Sequence, residues 1–202
     1  MKKIKSIVAI LLTLVLTLSL VGCGETQKAE AAINGMFTAF KNLDFEAAQK
    51  YVNVDDITSS DGDSSVGSEV VMGAIFDKLS YEIISSEKID SNTVTVKTKI
   101  TATDMKPVLA EYMTEALAYA FSNAFASPQL TEEELNQKYE EILVECATKP
   151  DLATVTNEVD VTVVKTESND WKIEADDAFV NAVLGGLVEA FDAMNDASNT
   201  EE

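Results

Sequence analysis

The sequence predicts an α+β fold, in which an antiparallel sheet of about four strands, arranged as two hairpins, packs on N-terminal helices. A two-helix insertion separates the hairpins, and a further helix follows the last strand. Three observations carry this reading. Apolar residues recur at helical spacing between residues 31 and 79. Two stretches, near 93–102 and 155–163, alternate apolar and polar residues with a period of two and end in turn residues. The helical period then returns between those stretches and again after them.

In chain order, Ala31 to Asn42 reads as a helix, with Ile33, Met36, Phe37 and Phe40 on one stripe. Leu43-Asp44 breaks it. Asp44 is placed to cap a second helix over Phe45 to Val52, because its carboxylate accepts from the free N–H groups of the first turn. The stretch "NVDDITSSDGDSSVGS" is polar and turn-rich. A third helix covers about Glu69 to Leu79 and carries Val70, Val71, Ala74 and Ile75. Tyr81 and Ile83 begin a strand, and Asp90-Ser91-Asn92 turns it. In "NTVTVKTKITAT", Val94, Val96, Ile100 and Ala102 face one way, and Thr93, Thr95, Lys97, Lys99 and Thr101 the other. That makes a hairpin with one buried face and one wet face.

Residues 106 to 149 return to helix. Pro107 sits in the first turn, where its missing N–H is harmless. Leu109, Tyr112, Met113, Ala116, Leu117, Ala120, Phe121 and Phe125 make a broad apolar stripe, interrupted by Glu111 and Glu115 and so unsuited to spanning a membrane. Ser127-Pro128 ends this helix, and Thr131 with Glu134 forms a capping box for the next. The second hairpin sets Val155, Val159, Val161 and Val163 against Thr156, Glu158, Asp160 and Thr162. It turns at Ser168-Asn169-Asp170 and returns through Trp171, Ile173 and Ala175. A last helix covers about Asp177 to Met194, with Val180, Val183, Leu184, Leu187 and Phe191 on its apolar side. Gly185-Gly186 in its middle costs about 1 kcal/mol per Gly relative to Ala, which close packing would offset. The reading is of one domain over 30–195, with a polar tether over 23–29 and a disordered tail over 196–202.

The N-terminus has a different grammar. Lys2, Lys3 and Lys5 precede an almost wholly apolar run from Ile7 to Val21, then Gly22-Cys23 and polar residues. A positive head before such a run describes a secretory signal, and the run is shorter than the roughly 20 apolar residues a spanning helix needs. The quartet Leu20-Val21-Gly22-Cys23 resembles the bacterial lipobox. That resemblance implies cleavage of residues 1–22 and a diacylglycerol on Cys23 as the membrane partner. Two acyl chains suffice for stable anchoring.

Composition then excludes function classes. The leader holds three of the fifteen lysines and none of the 35 acids, so twelve lysines remain and the rest carries a formal charge of −23. Nucleic acid is not a partner for such a surface. There is no His, and every basic residue is Lys. Triads, Cys–His dyads and imidazole metal ligands are therefore out of reach, as is the planar fork of Arg for phosphates and carboxylates. No cofactor, metal site or catalytic residue is expected, and the chain is read as a non-enzyme. The absence of Arg also fits a Gram-positive source with an AT-rich genome, the anchor then lying on the outer face of the cell membrane. Cys146 shares a helical stripe with Leu135, Tyr139, Ile142 and Leu143 and reads as an inert core thiol, since Glu141 and Glu145 beside it disfavour the thiolate. The acidic loop with Asp55, Asp56, Asp61 and Asp63 fails as a calcium loop: with Gly62 as its glycine, Ile57 and Ser59 fall on ligand positions and Ser68 stands where a Glu is needed.

"FTAFKNLDFEAAQKYV" resembles the opening helix pair of the cystatin-like, nuclear-transport-factor-2-like α+β proteins. "VTVVKTESNDWKIEADD" resembles the end of their sheet. With the lipobox, the combination is similar to Gram-positive lipoproteins of unknown function. The resemblance implies a curved sheet wrapped around the N-terminal helices, a cone whose apolar mouth holds a small apolar or peptide ligand. Phe40, Tyr51, Tyr81 and Trp171 are the candidates for lining it, although Trp171 shares a strand face with Ile173 and also reads as core. Some enzymes of the superfamily pair Tyr with carboxyls in such a cone, but no spacing here singles out a pair. The opposing reading is an interaction protein, its cone filled by its own helices and its outer faces meeting envelope partners. A packed cone with an exposed apolar patch distinguishes the second reading from the first.

Overall fold

A computed structural model describes residues 24–58 and 69–199. The sheet is a four-stranded antiparallel meander, β1 (Ser80–Lys88), β2 (Thr93–Thr103), β3 (Thr154–Lys165) and β4 (Trp171–Ile173), in the order β1-β2-β3-β4. The α+β class, the curved sheet and the terminal helices stand as the sequence predicts. β2 and β3 pair along their whole length, from Thr93 opposite Val164 to Thr103 opposite Thr154. β1 carries an irregularity between Ile83 and Ser85, and β4 is only three residues long.

One face of the sheet is dry. Val94, Val96, Ile100 and Ala102 are fully buried there, and Thr98 joins them by donating its hydroxyl to the Val96 carbonyl at 3.2 Å. Against this face lies α1 (Glu25–Lys41), whose Ile33, Met36, Phe37 and Phe40 are fully buried. The helix begins six residues before the start that the sequence predicts at Ala31, because Ala29 already packs into the core. Most of the expected tether is thus helix. Asn42 and Leu43 close α1, Leu43 in the left-handed region at φ 55°, and Asp44 Oδ1 accepts from Ala47 N at 2.9 Å to start α2 (Phe45–Ala48). That second helix is shorter than its pattern, since the chain turns at 49–51 to bring the Tyr51 carbonyl to Ile173 N at 2.7 Å.

Beyond α3 (Asp55–Thr58), α4 (Glu69–Asp77) packs on β2, where the Thr103 hydroxyl donates to the Ala74 carbonyl. The insertion is a helical hairpin, α5 (Met105–Ala124) and α6 (Glu132–Ala147). Its base is closed by Asp104 N donating to Ala153 O at 2.8 Å, beside the Thr103–Thr154 pair. Thr131 and Glu134 form the expected capping box. After β4, Asp176 caps α7 (Asp177–Val183), whose Phe179, Val180 and Val183 complete the core.

The last helix is corrected in two respects. It breaks at Gly185 and Gly186, which take φ of +62° and +84°, so that α8 (Leu187–Asn199) starts in a new direction. The break allows the Gly185 carbonyl to accept from Met105 N at 2.9 Å, and a Cβ on Gly185 would stand 1.7 Å from the Thr103 carbonyl oxygen. Glycine is required there for both reasons. The expected disordered tail also retreats, because α8 continues through Asn199.

Candidate functional sites

The four aromatic candidates separate. Phe40 belongs to the core, stacked on Phe76 with ring centroids 4.9 Å apart, and lines no opening described here. Tyr81 stacks on Phe37 at 4.2 Å and donates its hydroxyl to Asn34 Oδ1 at 2.6 Å, which holds β1 against α1. Partial burial raises its phenol above the ordinary pKa.

Tyr51 and Trp171 come together. Both line an open cleft of about 680 Å³ between α1, the turn after α2 and the β3–β4 turn. Lys28, Lys50, Lys172 and Asp170 line it too. The Tyr51 ring rests against Gly35, where a Cβ would lie 2.3 Å from the phenol Cζ. Asn169, at φ 66°, shapes the turn that carries Trp171 into place. Trp171 is buried, and its indole Nε1 has no hydrogen-bond partner among the described residues.

A second surface lies on the insertion. Only Met105, Val108 and Leu109 of α5 are buried, all at the base. Further along, Tyr112, Met113, Ala116, Leu117, Ala120 and Tyr139 line an apolar groove of about 210 Å³ between the two helices. Leu117 in the groove wall and, past it, Phe121 and Phe125 are 64%, 70% and 76% exposed, and the two phenyl rings meet edge to face at 5.0 Å. The stripe that the sequence places on α5 is real in spacing but uncovered over its outer half. Residues 105–149 carry eight Glu and three Lys, so this apolar face sits in acidic surroundings.

Cys146 is buried, and desolvation, aided by Glu111, raises its thiol pKa. Among the described residues, no three Cys, Asp or Glu are grouped to hold a metal ion, and no helix is long and apolar enough to cross a membrane. Asp55 and Asp56 fall in α3. Asp61 and Asp63, the lipobox-like residues Leu20, Val21 and Gly22, and Cys23 lie outside the described residues.

No protein-family model matches the chain, and no curated protein matches it. Among solved structures it is similar to a candidate lipoprotein (ycdA) from Bacillus subtilis. Identity is 17% over 82% of this chain and 55% of that chain, with a TM-score of 0.45. The chain spans just over half the length of that protein.

Proposed function

We propose that the chain is an exported, lipid-anchored interaction protein without enzymatic activity. It is tethered through diacylglycerol on Cys23 to the outer face of a Gram-positive cell membrane, and it meets an envelope protein through the α5–α6 hairpin. The anchor rests on the charged head, apolar run and lipobox-like quartet of residues 2–23. The cystatin-like, nuclear-transport-factor-2-like class is kept for the domain, on the strength of an opening helix laid across a four-stranded meander.

The exposed row Leu117, Phe121 and Phe125 is the observation that carries the reading. Ile33, Met36, Phe37 and Phe40 of α1 are fully buried, whereas the apolar row on the hairpin faces outward. A patch of this kind marks an interaction site. Its acidic setting favours a protein segment with apolar anchors and basic flanks. The membrane itself is disfavoured as occupant, because anionic lipid repels eight glutamates. The geometry agrees. Glu25, at the start of α1, pairs with Lys88 at the β1–β2 turn at 3.3 Å, whereas the hairpin leaves from the far end of β2. At about 3.3 Å per residue, the length of β2 sets those ends some 30 Å apart.

Anchoring is checked by metabolic labelling with palmitate: label enters the chain, and Cys23→Ser loses it and releases the protein to the medium. For the hairpin, a benzophenone photocrosslinker at Ala120 on intact cells is expected to give a discrete protein adduct. Phe121→Ser with Phe125→Ser should abolish that adduct while shifting stability by no more than about 0.5 kcal/mol. Adducts only to lipid, or the same adduct from a crosslinker at Lys99 on the wet sheet face, would sink the reading.

A further inference from the structure

The cleft at Tyr51 and Trp171 is lined by positive charge on an acidic chain. Of the twelve lysines after the leader, Lys88, Lys97, Lys106, Lys138 and Lys149 are in salt bridges, and Lys78 donates to the Leu152 carbonyl. Six have no such partner among the described residues. Three of those six, Lys28, Lys50 and Lys172, line this one cleft. Asp170 is the single acid among the lining residues, so the cleft is net positive by two charges on a chain of formal charge −20. Gathering unpaired ammonium groups is unfavourable unless an anion joins them, and here acids are plentiful elsewhere yet only one is placed among them.

The buried indole supplies an independent observation. A buried donor without an acceptor costs about 1–3 kcal/mol; Trp171 lines the cleft, and its Nε1, buried behind that surface, has no partner among the described residues. An anionic oxygen seated in the cleft would satisfy the three ammonium groups together. Lysine serves phosphate as a point charge, and the aromatic pair supplies a flat apolar wall for whatever carries the phosphate.

We propose that this cleft binds a phosphate group, held by Lys28, Lys50 and Lys172 beside Tyr51 and Trp171. The phosphate comes either from a soluble ester or from an anionic lipid headgroup. The second source is near at hand, because Lys28 lies five residues from Cys23 and one helical turn from the start of α1. A Lys–Tyr–Trp surface is also what the headgroup layer favours. The headgroup source rests on the lipid anchor proposed above; the soluble source does not.

Trp171 is the only tryptophan, so its emission reports the cleft without labelling. The full chain in neutral maltoside micelles is titrated with inorganic phosphate and with glycerol 3-phosphate, against chloride at equal ionic strength. The same chain is then placed in nanodiscs of phosphatidylcholine or phosphatidylglycerol. A saturable emission change with the soluble phosphates, weakened at least tenfold in Lys50→Gln/Lys172→Gln, supports the site with a soluble ligand. A change confined to phosphatidylglycerol discs and lost in the same variant supports it with the headgroup. Lys41→Gln/Lys165→Gln, which removes two unpaired lysines outside the cleft, should leave either response intact. No change in either arm, or a response that the cleft variant retains, overturns the proposal. Far-ultraviolet circular dichroism of each variant separates loss of the site from loss of the fold. A missing anchor would remove only the disc arm, and so would be recognised as a failure of the anchor rather than of the cleft.

Discussion

At the scale of single residues, the glycines divide into those that geometry demands and those it tolerates. Gly185 takes a left-handed φ and approaches the Thr103 carbonyl so closely that any Cβ would overlap it. Gly185→Ala should destabilise the protein by about 3 kcal/mol, at the upper end for point substitutions. Gly73 in α4 is the contrast, since its Cβ would meet only Leu43 Cδ1 at an ordinary 3.6 Å. Gly73→Ala should stabilise by up to about 1 kcal/mol, the helical penalty of glycine. Urea unfolding of the two variants checks both signs, and equal effects would show that backbone conformation is not what distinguishes them.

At the scale of elements, the N-terminus of α6 depends on a reciprocal pair. Thr131 N and Oγ1 each donate to Glu134 Oε2 at 2.9 Å, and Thr131 Oγ1 accepts from Glu134 N at 3.3 Å. Thr131→Ala should cost about 1 kcal/mol. The hydrogen bonds from the Thr131 backbone and side chain hold the Glu134 carboxyl below its ordinary pKa of 4.5. A lowered folded pKa contributes stability above the unfolded value that is lost as pH falls through the folded one. In wild type the cap therefore weakens below pH 4.5, and Glu134→Gln should flatten that part of the stability–pH curve. An unchanged acid limb in the variant would remove Glu134 from the account.

Elements are also where the sequence was most and least legible. Period two in "NTVTVKTKITAT" and the Thr131–Glu134 spacing are local facts, and the strand and the cap follow from them. The apolar stripe of α5 has the same period as that of α1, and period alone does not say whether anything covers it. Leu117, Phe121 and Phe125 were thus readable as helical but not as exposed. Tyr51 and Trp171 are distant in the chain and meet only because the β3–β4 turn folds back over α1. The lysines around them are scattered singly, with no spacing to mark them as one cluster. The glycine pair was visible as a cost, but its resolution as a break depended on the Thr103 and Met105 backbone, which no local pattern reveals.

At the scale of the whole molecule, self-repulsion is the dominant electrostatic fact. A formal charge of −20 on the chain opposes compaction, while the five surface salt bridges among the described residues each contribute little. Added salt shortens the screening length from about 30 Å at 0.01 M to about 10 Å at 0.1 M. The melting temperature should therefore rise over that range. A fall would mean that the ion pairs outweigh the repulsion, and differential scanning calorimetry decides between the two.

The margins of the sheet have a meaning that only a crowded surface brings out. Under the anchoring proposed above, copies fixed to one membrane would share a thin layer, where encounters are far more frequent than in bulk and a bare strand edge would recruit a neighbour's backbone. The irregularity in β1 between Ile83 and Ser85, with Glu82, Glu87 and Lys88 along the same strand, spoils it as a template. β4, at three residues, offers too short a ladder to extend. Both margins of the sheet thus resist edge-to-edge pairing between copies, which is what dense packing on a surface would demand.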